Sequence, residues 1–228
     1  MAALAACGGG SEKAAPPAAP KPSGGGVVAA EATIGLVGSA VSVENGRQAL
    51  IGKTGRISPN EDKPTDAQQN GVAGGAACAS ASSSPSNGNL AAMSAAIGCL
   101  LNAERTSKGL APLKLNASLT RASKLMAGLM VKQGFFAHDT PDGRDVVDRV
   151  RPTGYIRGSW SLGENIAWGS GGLATPRAIV NGWMHSTGHR ENILRAKFRD
   201  IGIGIKLGAP GRGLSGGATY VTDFGRHG

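Results

Sequence analysis

The sequence predicts a mixed α+β domain in residues 93–228, preceded by a tail that cannot form a core by itself. Two observations support a mixed domain. Apolar residues recur at helical spacing from Ser94 onward, and apolar and polar residues alternate in later segments, as they do in strands. A third observation sets the tail apart. Residues 1–93 contain no aromatic residue and are rich in Ala, Ser, Pro and Gly, so they bury too little apolar surface to offset their chain entropy.

The net charge of +9 lies entirely in the predicted domain. Residues 1–93 carry six Lys or Arg and six Asp or Glu, whereas residues 94–228 carry eighteen and nine. Such a basic domain suits contact with anionic polymers or membrane surfaces, although a solvated positive face explains the charge equally simply. The basic residues are scattered and are not interleaved with aromatic residues, which argues against nucleic acid as a partner.

Residues 1–26 predict a lipid-anchored start and a flexible linker. Leu4-Ala5-Ala6-Cys7 resembles a bacterial lipobox, in which the Cys is acylated, and an Ala, Pro and Gly linker follows it. Only three residues precede Leu4, fewer than the basic and apolar regions of a signal require. We therefore expect either a true start upstream of Met1 or a chance match in an Ala-rich tail.

Residues 27–92 predict a low-complexity, mostly disordered extension. Short apolar runs broken by Gly in Val27–Ile57 favour at most a weak hairpin, and no run is long enough to span a membrane. If Cys7 is acylated, Cys78 and Cys99 remain as an even pair, which predicts a disulfide between linker and domain in an exported protein. The alternative is two free thiols in a cytoplasmic protein.

Five helices are predicted in the domain, the last of them around His189. The first runs from Ser94 to Gly109, and the fourth begins at Pro176. The second is capped by Asn116 and stopped by Gly134, and a short helix ends before Pro152. The second helix has an apolar stripe that predicts its buried face: Leu119, Ala122, Leu125, Met126, Leu129 and Met130.

Three strands are predicted over 162–168, 201–205 and 218–224, the last two as an antiparallel pair. Glu164 interrupts the first strand, and in an edge strand it would simply be solvated. The glycine-rich loop between the last two strands matches both G-x-G-x-x-G and G-x-S-x-G. A strand follows the loop where either motif requires a helix, so neither a phosphate loop nor a nucleophile elbow is expected.

The stretch Gly182–Leu194, G-W-M-H-S-T-G-H-R-E-N-I-L, is the strongest site signal. His185 and His189 are four residues apart, which would place both rings on one face of a single helix as a zinc pair. Ser186, Thr187 and Gly188 between them favour a break, because such residues end or cap helices. We therefore expect His185 to end one helix and His189 to lie in the next.

Six ordered blocks together resemble a CAP domain, the cysteine-rich secretory, antigen 5 and pathogenesis-related superfamily in its bacterial SCP-like form. The resemblance covers about Met93 to Gly225. Beside the stretch just described, its blocks are L-L-N-A-E-R with G-L-A-P-L, F-F-A-H, G-E-N-I-A, F-R-D-I-G-I-G and Y-V-T-D-F-G. It implies a three-layer α-β-α sandwich with a central, mainly antiparallel sheet, and a secreted or cell-envelope location, periplasmic or associated with the outer membrane.

The resemblance also implies a cavity that presents two His and two acidic residues. Carried over by motif, the two imidazoles fall on His138 and His189, the first acid falls on Glu164, and the second falls on Ser186, which is a departure. Two neutral imidazoles suit zinc or another divalent ion, whereas a hydrogen-bonded cluster without metal is the alternative. Four further polar residues are expected to support this site: Asn102, Arg105, Asn165 and Arg190.

Three function classes remain open from the sequence, of which a purely structural or adhesion protein with a decaying site is the last. The first is a binding module without enzymatic activity, expected to be monomeric, that engages a lipid, a metal or a cell-envelope partner and touches the membrane only through a lipid anchor. The second is a hydrolase that uses Ser186 as nucleophile, or a metal-bound water, against a peptide or cell-wall substrate. The binding module is favoured because the site lacks a complete catalytic set.

Overall fold

A computed structural model of the protein describes residues 34–35, 40–44, 47–51, 78–211 and 216–228. The predicted lipobox with Cys7 and the linker of residues 1–26 lie outside the described residues. In chain order the strands and helices are β1 (Ile34–Gly35), β2 (Ala40–Glu44), β3 (Arg47–Ile51), α1 (Leu90–Thr106), β4 (Lys114–Leu115), α2 (Ala117–Gln133), α3 (Val146–Val150), β5 (Trp160–Gly169), α4 (Pro176–His185), α5 (Thr187–Ile193), β6 (Asp200–Leu207) and β7 (Ala218–His227), with short 3-10 helices at Arg151–Thr153 and Gly171–Ala174.

The helices begin and end where local sequence signals indicate. The side chain of Asn116 accepts hydrogen bonds from two backbone amides of the first turn of α2, and Gly134 ends that helix with a positive φ of 68°. Pro176 opens α4 after the cap residue Thr175. Helix α1 starts four residues before the predicted Ser94, because Ala-rich segments carry no sharp start signal.

The sheet has seven strands within the described residues, in the order β3-β2-β5-β7-β6-β4, and β1 pairs with the other end of β5. All pairings are antiparallel except that of β4 with β6. The predicted antiparallel pair of β6 and β7 is confirmed. Strand β5 is not an edge strand, because β2 flanks it on one side and β7 on the other.

Helices cover both faces of the sheet, so the predicted α-β-α sandwich is confirmed. The face with Ala167, Ile203 and Tyr220 packs against α1, α4 and α5. The opposite face, with Leu162 and Val221, packs against α2 and α3. Alternation of side chains along each strand separates the two cores.

Helix α2 lies directly on the backbone of β6. A Cβ atom at Gly202 would lie 2.1 Å from the carbonyl carbon of Leu119, and one at Gly204 would lie 2.3 Å from that of Ser123. The alternation I-G-I-G-I therefore places the isoleucine side chains in the core on one face of the sheet. The glycines on the other face let α2 approach the backbone of β6 closely. This close approach positions Ser123 over the sheet.

The folded region includes residues that the sequence analysis assigned to an extension before residue 93. Strands β2 and β3 form a hairpin, and β2 adds to the sheet beside β5. Cys78 forms a disulfide with Cys99 of α1, as predicted, and Cys78 and Ala81 are buried in the core. These segments are too short and too poor in aromatic residues to signal a core alone; they are stabilised by the surfaces they cover. None of the helices among the described residues has the length and apolar character needed to cross a bilayer.

Candidate functional site

Glu164 is the centre of a buried polar site on the α2 and α3 side of the sheet. It lies between Leu162 and Ile166, which belong to the hydrophobic clusters of that face, and its side chain is fully buried. The alternative of a solvated Glu164 in an edge strand does not hold, because β2 covers the free side of β5. A buried carboxylate needs charged or hydrogen-bonding partners, and Glu164 has both.

Two basic groups hold Glu164 in its ionised form. Arg149 of α3, itself buried, donates to Oε2 at 2.6 Å, and Nδ1 of His138 lies 2.7 Å from Oε1. Burial alone would raise the pKa of Glu164, but the charge of Arg149 and the hydrogen bond from His138 outweigh it and keep that pKa below its usual value. An ionised carboxylate only accepts, so Nδ1 of His138 is the protonated ring nitrogen.

His138 is positioned by the chain that leaves α2. Gly134 ends the helix, and four residues later the carbonyl oxygen of His138 accepts a hydrogen bond of 2.8 Å from Arg149. Arg149 therefore fixes both the backbone of His138 and the carboxylate that its ring contacts. The side chain of His138 is 13% exposed, so the site reaches solvent at this ring.

His189 lies on α5, near enough to His138 for a charge on that ring to lower the pKa of His189. Helix α4 ends at His185 and α5 begins at Thr187, so the predicted break between the two histidines is confirmed. The break leaves His185 exposed and His189 fully buried, with Nδ1 of His189 2.7 Å from Oγ of Ser186. Burial, with the charge of His138 adding to it, lowers the pKa of His189 to about 4. His189 is therefore neutral at neutral pH.

The Nε2 atoms of His138 and His189 are both buried and have no hydrogen-bond partner within the described residues. When the His138 ring is neutral, the hydrogen bond from its Nδ1 to Glu164 leaves a lone pair on Nε2. The same holds for His189 when Ser186 accepts from Nδ1. Two neutral imidazole nitrogens without partners suit a divalent transition metal. Within the described residues no group of three or more His, Cys, Asp or Glu is arranged to hold a metal.

Asp223 is a further site residue that the sequence analysis did not assign. It faces Glu164 across the pairing of β5 with β7 and is almost fully buried. Burial raises the pKa of Asp223 well above its ordinary value, and the negative charge of Glu164 adds to the effect. The charge of Arg149 lowers the pKa of Asp223 in part but does not cancel this rise.

Ser123 of α2 is hydrogen-bonded to Asp223. Its hydroxyl oxygen lies 2.8 Å from Oδ2 of Asp223 and 3.0 Å from the carbonyl oxygen of Leu119. The hydroxyl has one hydrogen to donate between these two acceptors. Donation to the carboxylate lowers the pKa of Asp223 and so opposes part of the effect of burial.

Two asparagines attach α5 to the sheet. Asn165 projects to the opposite face from Glu164, where it donates to the carbonyl oxygen of His189 at 3.1 Å. Asn192 donates to the side-chain oxygen of Asn165 at 3.0 Å and is near the carbonyl oxygen of Glu164 at 3.3 Å. The G-E-N triplet thus holds the acid on one side of β5 and the helix that carries His189 on the other.

The other predicted supports lie outside the polar site and connect the helical layer. Asn102 exchanges two hydrogen bonds with the backbone of Leu113. Arg105, predicted on a polar helix edge, is fully buried and donates to the carbonyl oxygens of Ile193 and Arg195 at the end of α5. Arg190 donates to the carbonyl oxygen of Met184.

The structure pairs His138 with Glu164 and His189 with Ser186, and the two pairs are linked by the effect of the His138 charge on the pKa of His189. It adds Arg149, whose neighbours D-V-V-D-R-V had indicated only a short helix. The signal that could have found Asp223 is a charge at an inward position of the strand Y-V-T-D-F-G, because an acid is rarely buried there without a partner.

The fold and site define a three-layer domain of the secretory type, with a buried polar site that carries two histidines. Residues 100–224, just over half of the chain, match the cysteine-rich secretory protein family, CAP. The chain belongs to this family.

Individual relatives cover part of the chain. A Bacillus subtilis (strain 168) protein, described as uncharacterized protein YkwD, is 36% identical over 105 residues, which are 46% of this chain and 39% of the relative. The chain thus spans well under half of that relative's length.

Three solved structures are also similar. An extracellular protein with an SCP domain from Bacillus anthracis is 25% identical, with a TM-score of 0.46 over 57% of this chain and 39% of its own. An outer surface protein of Borrelia burgdorferi is 18% identical, with a TM-score of 0.48 over 58% and 90%. A cysteine-rich secretory protein of Staphylococcus aureus is 18% identical, with a TM-score of 0.42 over 59% and 38%.

Proposed function

We propose that this CAP-family protein is an exported binding module whose two buried imidazoles, His138 and His189, hold a divalent transition metal such as zinc. The observation that carries the proposal is the pair of buried Nε2 atoms without partners. Buried polar atoms in proteins usually have partners, and a metal bound to these two nitrogens would supply one for each.

The surroundings of each ring support metal binding. A carboxylate on the far nitrogen of a ligating histidine orients the ring and makes it a better ligand, and Glu164 holds this position on His138. His189 is neutral and is held by Ser186. A bound metal would supply a Lewis-acid centre for an oxygen or nitrogen of a ligand. The chain itself orients both rings and excludes water from all but the exposed edge of His138.

Equilibrium dialysis of the chelator-treated chain against zinc tests the proposal. We expect one zinc per chain, and loss of this zinc in His138→Ala and in His189→Ala. His185→Ala is the matched control, because His185 is exposed and its ring contacts only the carbonyl oxygen of Asn181. Zinc retained in both site variants, or lost equally in the control, would overturn the proposal.

A hydrolase is the second candidate, and the contact between Ser186 and His189 is the observation in its favour. The Nδ1 to Oγ distance of 2.7 Å would let a histidine take a proton from a serine nucleophile. Two facts weaken it: the low pKa of about 4 makes His189 a weak base, and no carboxylate contacts its Nε2. Peptidase and muramidase assays on Ser186→Ala separate the candidates, since zinc binding should survive this change while serine-dependent hydrolysis should not.

The ligand class and location form part of the same proposal. The disulfide Cys78–Cys99 suits an oxidising, extracytoplasmic compartment, and acylation of Cys7 would attach the protein to the envelope. We propose a lipid or a cell-envelope component as the ligand. Retention of the protein by fluorescent lipids or by cell-wall fragments tests the ligand, and loss of fatty-acid labelling in Cys7→Ser tests the anchor. No retention by either material would exclude the proposed ligand classes.

A further inference from the structure

Helix α2 has an outer face that combines basic side chains with an exposed leucine. The sequence predicted Leu125 in the buried stripe, but the structure leaves it 46% exposed. At about 100° per residue, Arg121, Leu125 and Lys132 lie within about 40° of one another on the helix. Lys124 lies at the edge of this band, and all four residues are exposed.

The rest of this face has the same character. Helix α2 contains no acidic residue in its seventeen positions. Leu125 is one of two large hydrophobic residues that are exposed among those that the structure describes. The other, Leu115 of β4, pairs with Ile201, which faces the opposite core, so Leu115 is not part of this face.

We propose that this face, defined by Arg121, Lys124, Leu125 and Lys132, docks on the surface of an anionic phospholipid membrane. Charge complementarity selects the partner: basic groups without acidic neighbours on the helix are attracted to anionic headgroups. The exposed Leu125 supplies an apolar side chain that can enter the boundary between headgroups and acyl chains.

The geometry of the fold allows this contact. The buried face of α2, with Leu119, Met126 and Met130, is already covered by the sheet, so docking requires no rearrangement of the core. The two lysines in the helix extend from the surface on long side chains that can reach headgroups while the backbone stays above them. The sequence analysis limited membrane contact to a lipid anchor at Cys7; the helix face is a second contact, independent of acylation and of the metal site.

Co-sedimentation of the full, unacylated chain with vesicles tests the proposal. We expect binding to vesicles of equal parts phosphatidylglycerol and phosphatidylcholine, weak binding to phosphatidylcholine alone, and a decrease as salt rises. Lys124→Gln combined with Lys132→Gln should weaken binding about 10- to 30-fold. Leu125→Gln leaves the charge unchanged and should also weaken binding, with a larger share of the remaining affinity lost at high salt.

The matched control is Lys108→Gln combined with Arg226→Gln. It removes the same charge, but Lys108 follows α1 in the opposite layer and Arg226 lies at the end of β7. Equal weakening by the control pair would overturn the proposal in favour of a general charge effect. Equal binding to both vesicle types would also overturn it. So would binding to soluble polyphosphate without binding to vesicles, since the face would then serve a soluble polyanion. Circular dichroism checks that every variant folds.

Discussion

Protonation of His189 should destabilise the metal-free protein as the pH falls from about 6.5 to about 4. His189 is fully buried, and its pKa is lowered from 6.5 to about 4 in the folded chain. In the unfolded chain the His189 ring binds a proton once the pH falls below the ordinary pKa of 6.5. In the folded protein it does so only when the pH is near 4. Within this window the unfolded state binds more protons, so the free energy of unfolding falls as the pH falls.

The size of the effect follows from the same two pKa values. Each pKa unit corresponds to about 1.4 kcal/mol, so full protonation of His189 would remove about 3 kcal/mol, and the loss between pH 7 and pH 4.5 should be about 2 to 3 kcal/mol. Other groups of the site titrate in this range. The quantity to measure is therefore the difference between the wild type and a variant that cannot be protonated.

Urea unfolding at pH 7 and pH 4.5, with a chelator present, measures this difference. The change to make is His189→Gln, which keeps a polar side chain near Ser186 and does not titrate. Its loss of stability between the two pH values should be smaller than that of the wild type by about 2 to 3 kcal/mol. His185→Gln is the control and should behave as the wild type does, because His185 is exposed. If His189→Gln loses as much stability as the wild type, the assignment of a buried neutral His189 is refuted.

Three further changes test the site and the fold by urea unfolding. Asp223→Asn should stabilise the protein at pH 7 by about 1 to 3 kcal/mol. Because the pKa of Asp223 is raised in the folded protein, stability is lost as the pH rises, and an amide, which does not titrate, removes this loss. Arg149→Met should cost about 3 to 5 kcal/mol, since it leaves Glu164 buried without its balancing charge. Replacement of Cys78 and Cys99 by Ser should cost about 2 to 4 kcal/mol, as removal of a cross-link restores freedom to the unfolded chain.

Each of these changes has an outcome that contradicts it. A variant Asp223→Asn with unchanged or lower stability at pH 7 would mean that the acid is ionised in the folded protein. A mild effect of Arg149→Met that does not depend on pH would mean that Glu164 is not buried with a charge. Equal stability of the oxidised protein and the double serine variant would show that the disulfide does not constrain the unfolded chain.

Local signals determined most of the helical boundaries. The cap at Asn116, the stop at Gly134 and the break between His185 and His189 depend on residues within one helical turn. For the same reason the alternation of β6 and β7 was sufficient to predict their pairing. Short-range backbone hydrogen bonding and side-chain spacing act within a few residues, so the sequence displays them directly.

The tertiary structure alone decided the environment of each polar group. Strand β2, far from β5 in the chain, converts Glu164 from an edge residue into a buried one, and Arg149 becomes its partner only when α3 packs on the sheet. Leu125 shows the converse, since its spacing predicts burial but no element covers it. Burial and charge pairing depend on which distant segments come into contact. The pKa of a buried group, an imidazole nitrogen without a partner and the exposure of Leu125 all depend on these contacts.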